Sequence, residues 1–137
     1  MNTDIFDKVS ITIYTPYNDV YKRKVIKDCI LINDMELSFK SQGILPLNTC
    51  KLYIPYDSEF VDEKLFKGVG WTIKIGSDKK TSYIVEGICN FNFSKYGASD
   101  LPKAIREFES NYEYKKPKFI KKNYANSSNL SHIEVIC

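Results

Sequence analysis

The residues that could carry chemistry are few and poorly placed for it. His132 is the only histidine, and an imidazole acts as a general base only with a nucleophile and an orienting group beside it. It adjoins the apolar run Ile133-Glu134-Val135-Ile136 and reads as a structural or surface histidine. Asp57, Glu59, Asp62 and Glu63 come nearest to a paired-carboxylate site of the glycosidase kind. They crowd one turn-helix segment, where acidic side chains favour a helix N-terminus without any catalytic duty. Cys29, Cys50, Cys89 and Cys137 are widely spaced, with no C-x-x-C pair and no histidine at zinc-ligand spacing. Three of them sit in apolar strand-like runs, so they read as buried free thiols of a reducing compartment rather than a disulfide framework. Gly68, Gly70 and Gly76 flank Trp71 but do not form a phosphate cradle ahead of a helix. These residue types predict no enzyme, no metal and no cofactor.

What remains is surface. Residues 1–64 carry 8 basic and 10 acidic side chains, whereas residues 65–137 carry 12 and 7. Lys115, Lys116, Lys118, Lys121 and Lys122 fall within eight positions. They read as a solvated connecting segment, with contact to phosphate or an acidic protein surface as the alternative. Tyr14, Tyr21, Tyr53 and Tyr83, interleaved with basic residues, leave open a single-stranded nucleic-acid-binding β-barrel, in which bases stack on exposed rings. A second candidate lies in residues 41–49. There Gly43, Ile44, Leu45, Pro46 and Leu47 break the strand pattern as an apolar loop, which either folds back on the core or anchors a partner.

The elements that must position these residues are short alternating strands. Val9, Ile11 and Ile13 alternate with Ser10, Thr12 and Tyr14, the period of a half-buried strand. Residues 15–19 form a turn, a long β-branched run follows from Val20 to Ile32, and Asn33-Asp34 signals a second turn. Met35, Leu37 and Phe39 mark another strand, and residues 50–54 one closed by Pro55. Ser58 can cap a short helix or helical turn through Val61 and Leu65, before Gly68. Residues 71–75 and 83–89 read as the arms of a hairpin. Leu101, Ile105 and Phe108 form a helical stripe over 99–109, capped by Ser99 or Asp100 with Pro102 in the first turn. Residues 119–124 and 132–136 give two last strands joined by a turn at 126–129.

With 137 residues, 43% of them hydrophobic, one core is the simplest solution, since smaller pieces would bury too little. The expectation is a single domain over 1–137, a small β-barrel or sandwich of antiparallel strands with one or two short helices. Residues 94–122 form its less regular helix and lysine-rich segment. Met1-Asn2-Thr3-Asp4 lacks a basic leader, and no apolar run approaches a membrane span. Synthesis in cytosol and no membrane partner are therefore expected.

A family resemblance adds to this. Asp4-Ile5 with Val9-Ser10-Ile11-Thr12-Ile13-Tyr14, Val25-Ile26-Lys27-Asp28-Cys29, Leu52-Tyr53-Ile54-Pro55, Gly70-Trp71-Thr72-Ile73-Lys74 with Val85-Glu86-Gly87, and Leu130-Ser131-His132-Ile133-Glu134-Val135 occur in an order similar to that of small structural proteins of tailed bacteriophages of Gram-positive hosts. The likeness spans nearly the whole chain, and residues 94–116 match least. It implies a head–tail connector, a stopper-like head-completion or minor capsid subunit that forms a ring with copies of itself. Its implied neighbours are the portal or adaptor and the tail-terminator or tail-tube proteins, with contact to packaged DNA. The implied location is the virion neck, after synthesis in the host cytoplasm. A tail-terminator or tail-completion protein would use the same ring logic.

Overall fold

The computed structural model describes residues 7–40, 43–76, 80–123 and 132–137, and the fold is mainly β. Its strands are β1 (Val9–Tyr17), β2 (Val20–Lys40), β3 (Gly43–Pro55), β4 (Tyr83–Glu86), β5 (Phe119–Asn123) and β6 (His132–Ile136). They form one antiparallel sheet in the order β4-β1-β2-β3-β6-β5. Among the described residues the sheet ends at β4 and β5 without their pairing to each other, so it is sandwich-like rather than a closed barrel. One short helix, α1 (Leu101–Asn111), accompanies it.

Local chemistry explains the first hairpin. Asn18 and Asp19 both take positive φ, 48° and 64°, as a type I′ turn requires, and short polar side chains tolerate that region best. The turn is tighter than residues 15–19 suggest, because Thr15 and Pro16 stay in β1 opposite Lys22 and Tyr21.

β2 then bends the sheet onto itself. Val9 faces Cys29 while Ile11 faces Ile26, so three steps along β2 match two along β1, and Asp28 adopts φ 61°. Such a bulge sharpens the twist and turns the strand. Beyond it β2 leaves β1 and pairs with β3 from Ile30↔Tyr53 onward. The two halves of the sheet meet in a core where Ile11 and Ile13 of β1 join Leu52 and Ile54 of β3, Ile133 and Val135 of β6, and the segment carrying Trp71 and Ile73.

The opposite face of β1 is buried too, which corrects the half-buried expectation. Tyr14, Tyr83 and Val85 pack against Phe91, Phe93, Ala104, Ile105 and Phe108, bringing α1 onto the sheet in an aromatic second core. The hydroxyls on that face are satisfied there. Thr12 Oγ1 donates to Gly87 O (2.8 Å) and accepts from Cys89 N–H (2.9 Å), while Tyr14 O–H points between Phe91 O (2.9 Å) and Cys89 O (3.1 Å). Burying these groups is tolerable only because each has a partner.

Other expectations change in detail. Asn33 and Asp34 do not turn; they continue β2 opposite Cys50 and Thr49. Residues 43–49, read as part of a loop, are the first half of β3, in register from Lys40↔Gly43 to Met35↔Asn48; positions 41 and 42 lie outside the described residues. Of the short helix or helical turn expected after Ser58, the turn forms, as a 3-10 turn at Glu63–Leu65. The backbone groups a helix would need are taken, since Val61 N–H donates to Trp71 O and Trp71 N–H to Glu59 O. Residues 71–75 and 83–89 make no hairpin ladder beyond Ser82 N–H to Lys74 O, and β4 pairs with β1 instead. α1 forms as its stripe predicts, with Ala104, Ile105 and Phe108 buried and Pro102 in its first turn. Asp100 occupies the cap position without a side-chain hydrogen bond. The expected turn at 126–129 lies outside the described residues.

Candidate functional site

Three of the four candidate carboxylates of the turn segment, Asp57, Glu59 and Asp62, are engaged in structure. Asp57 Oδ2 accepts from Trp71 Nε1–H at 3.0 Å and its Oδ1 from the Glu59 backbone N–H at 2.9 Å. Glu59 pairs with Lys24 at 3.0 Å, and Asp62 pairs with Lys122. The segment thereby clamps the tryptophan into the first core. His132 lies on β6 opposite Pro55 and Asn123, with its ring 5.8 Å from that of Tyr53. Among the described residues, no three His, Cys, Asp or Glu side chains are grouped to hold a metal ion. No described helix is long and apolar enough to cross a membrane.

The lysines of 115–122 do not gather into one patch. Lys115 exchanges both backbone hydrogen bonds with Ile84, each at 2.8 Å, covering part of the β4 edge. Lys116 lies 4.0 Å from Glu109 and over the Tyr83 ring at 5.6 Å. Lys122 is held by Asp62 and sits over Phe60. Lys118 and Lys121 are exposed, and Lys121 stands opposite Glu134. Among the described residues, Lys116 and Lys122 therefore have acidic partners, on α1 and in the turn segment respectively.

The tyrosines proposed as a stacking platform fare similarly. Tyr14 and Tyr83 are fully buried, and Tyr21 stacks on Phe93 with centroids 4.3 Å apart. Burial, with the Glu109 charge adding to it and a hydrogen bond with Tyr83 opposing, pushes the Tyr21 hydroxyl up to about 12. Rings held this way are core rather than surface.

The feature that stands apart is an arm. From Ile30 onward β2 pairs only with β3 among the described residues, and β3 meets β6 only over residues 50–55. Residues 34–40 and 43–49 thus form a two-stranded ribbon about 24 Å long at some 3.4 Å per residue, paired with no other strand among the described residues. All of Gly43, Ile44, Leu45, Pro46 and Leu47 belong to it. Sequence reasoning divided this arm into a turn, a strand and a loop because pairing across a hairpin leaves no local trace. The signal that could have found it is the matched apolar content of Met35, Leu37 and Phe39 against Ile44, Leu45 and Leu47. At the other end of the sheet, β5 is the edge strand among the described residues, and its Phe119 is 58% exposed.

Residues 6–137 match the sequence pattern of a family of unknown function (DUF6751). The chain belongs to this family. No curated protein and no solved structure matches it. What a member of the family does must therefore be argued from the body, the arm and the β5 edge.

Proposed function

We propose that this chain is a non-enzymatic virion structural subunit, a stopper-like head–tail connector that assembles with copies of itself into a ring between portal and tail. The arm is the observation that supports it. A two-stranded ribbon is marginal by itself in water, and a sequence that places Met35, Leu37, Phe39, Ile44, Leu45 and Leu47 in one has a use for apolar surface beyond its own fold. In a ring that use is a neighbouring subunit or the lumen, where DNA passes. The phage resemblance of the strand segments points the same way.

The tail-terminator reading shares this logic at a different level of the particle. The nucleic-acid-binding barrel is the weaker alternative, since two of its four tyrosines are buried and the sheet is open. The double substitution I44S/L45S separates assembly from folding. The purified variant keeps its Tm within a few degrees of the parent, while its incorporation into particles or their DNA retention falls. A variant whose monomer melts far earlier places these residues in the core, where each loss costs about 2–5 kcal/mol, and defeats the reading.

A further inference from the structure

We propose that Cys50 and Cys137 close reversibly into a disulfide, a redox staple that fixes the base of the arm to the β6 side of the sheet. The two residues form the last rung of the β3–β6 ladder, one step beyond Lys51↔Ile136. Cys50 N–H donates to Cys137 O at 3.0 Å and Cys137 N–H to Cys50 O at 2.8 Å. An antiparallel pair that exchanges both bonds holds its Cα atoms about 5.5 Å apart, inside the span a disulfide bridges. The Cys137 Sγ already lies 3.5 Å from Cys50 O. Cys50 is also where β3 leaves the body, since residues 43–49 pair only with β2 among the described residues.

The thiols are poised unequally. The neighbouring Cys137 side chain lowers the Cys50 thiol below its ordinary value against the opposing effect of burial, with Lys115 assisting. The Cys50 side chain, with burial, raises Cys137 in turn. Cys29 has no such partner, and burial pushes its thiol up to about 12. Cys50 is therefore the attacking sulfur. Its thiolate attacks one sulfur of a low-molecular-weight disulfide, giving a mixed disulfide and one free thiol. The Cys137 sulfur then displaces the second thiol from Cys50 while giving up its proton. Two protein thiols lose two protons and two electrons, and one small disulfide is reduced to two thiols. Directly paired cysteines of this kind hold their Cβ atoms wider than an unstrained disulfide does. The bond is thus readily reduced again, as a reversible staple requires.

The inference rests on this pair and not on the connector reading, so either can fail alone. The test treats the full-length chain with oxidised glutathione, unfolds it in N-ethylmaleimide and weighs it. Two of its four cysteines escape alkylation, digestion joins the Cys50 peptide to the Cys137 peptide, and dithiothreitol restores four reactive thiols. C29S/C89S, which keeps only the pair, loses both thiols, and C50S loses none to an internal bond. Four alkylated cysteines after oxidation overturn the proposal. So does a bond reaching Cys29 or Cys89, or glutathione left on Cys50 without closure.

Discussion

Replacing Phe108 by alanine tests whether the two cores are one cooperative unit. The ring is fully buried and stands 4.9 Å from Phe93, 5.0 Å from Tyr83 and 5.4 Å from Phe91, centroid to centroid. Losing a buried phenylalanine costs about 3–5 kcal/mol, and rings that cannot collapse into the space put this case near 4. Unfolding entropy scales to about 0.29 kcal/mol/K for 137 residues, so Tm falls by about 14 °C. Urea titration followed by two probes reads the result. Trp71, the only tryptophan, reports the first core from the far side of β1, while far-UV circular dichroism follows α1 and the strands. Because β1 belongs to both cores, the two curves shift together with unchanged slope. A change under 1 kcal/mol, or a helix signal lost while the tryptophan stays native, refutes the shared-strand account. Leu65→Ala, at a residue 68% exposed, serves as the control and shifts stability by less than about 0.5 kcal/mol.

Asp57→Ala strands the indole N–H of Trp71 in the first core and costs about 1–3 kcal/mol by urea titration, whereas an exposed carboxylate would cost nearly nothing. Glu107 is held below its ordinary value of 4.5, first by the Lys95 hydrogen bond and then by Tyr96, each at 2.7 Å. A depressed folded value means its stabilisation is present above pH 4.5 and is lost as pH falls through that lower value. Glu107→Gln therefore leaves an acid limb with less slope in thermal melts below pH 4.5; an unchanged slope refutes the pairing.

The sequence makes local periodicity legible and leaves long-range pairing hidden. The β1–β2 hairpin, α1 and β6 follow from alternation, an Asn-Asp turn and a helical stripe, all written in neighbouring residues. Adjacency makes residues 71–75 the expected partner of β4, yet its ladder runs along β1, some 70 positions earlier, and its other side bonds Lys115. The same limit hid the Asp57–Trp71 clamp, the arm and the Cys50–Cys137 rung, each joining segments whose spacing carries no signal. The second face of β1 was misread for a different reason: threonine and tyrosine look solvated in a pattern, but here carbonyls of 87–91 satisfy their hydroxyls. Of the candidate site residues, the apolar group at 43–47 was recognisable by composition though not as a strand. The lysine group was recognisable as a cluster, but not as one split between ion pairs and separate elements.

The central claim is a place in a particle, and an image decides it. Electron microscopy of virions produced by the genome that encodes this chain, averaged about the tail axis, is predicted to show its body as a ring at the junction of head and tail, with the β2–β3 arms reaching a neighbouring subunit or the lumen. Purified virions that lack the chain, or density for it anywhere other than the neck or the adjoining tail end, would contradict the account.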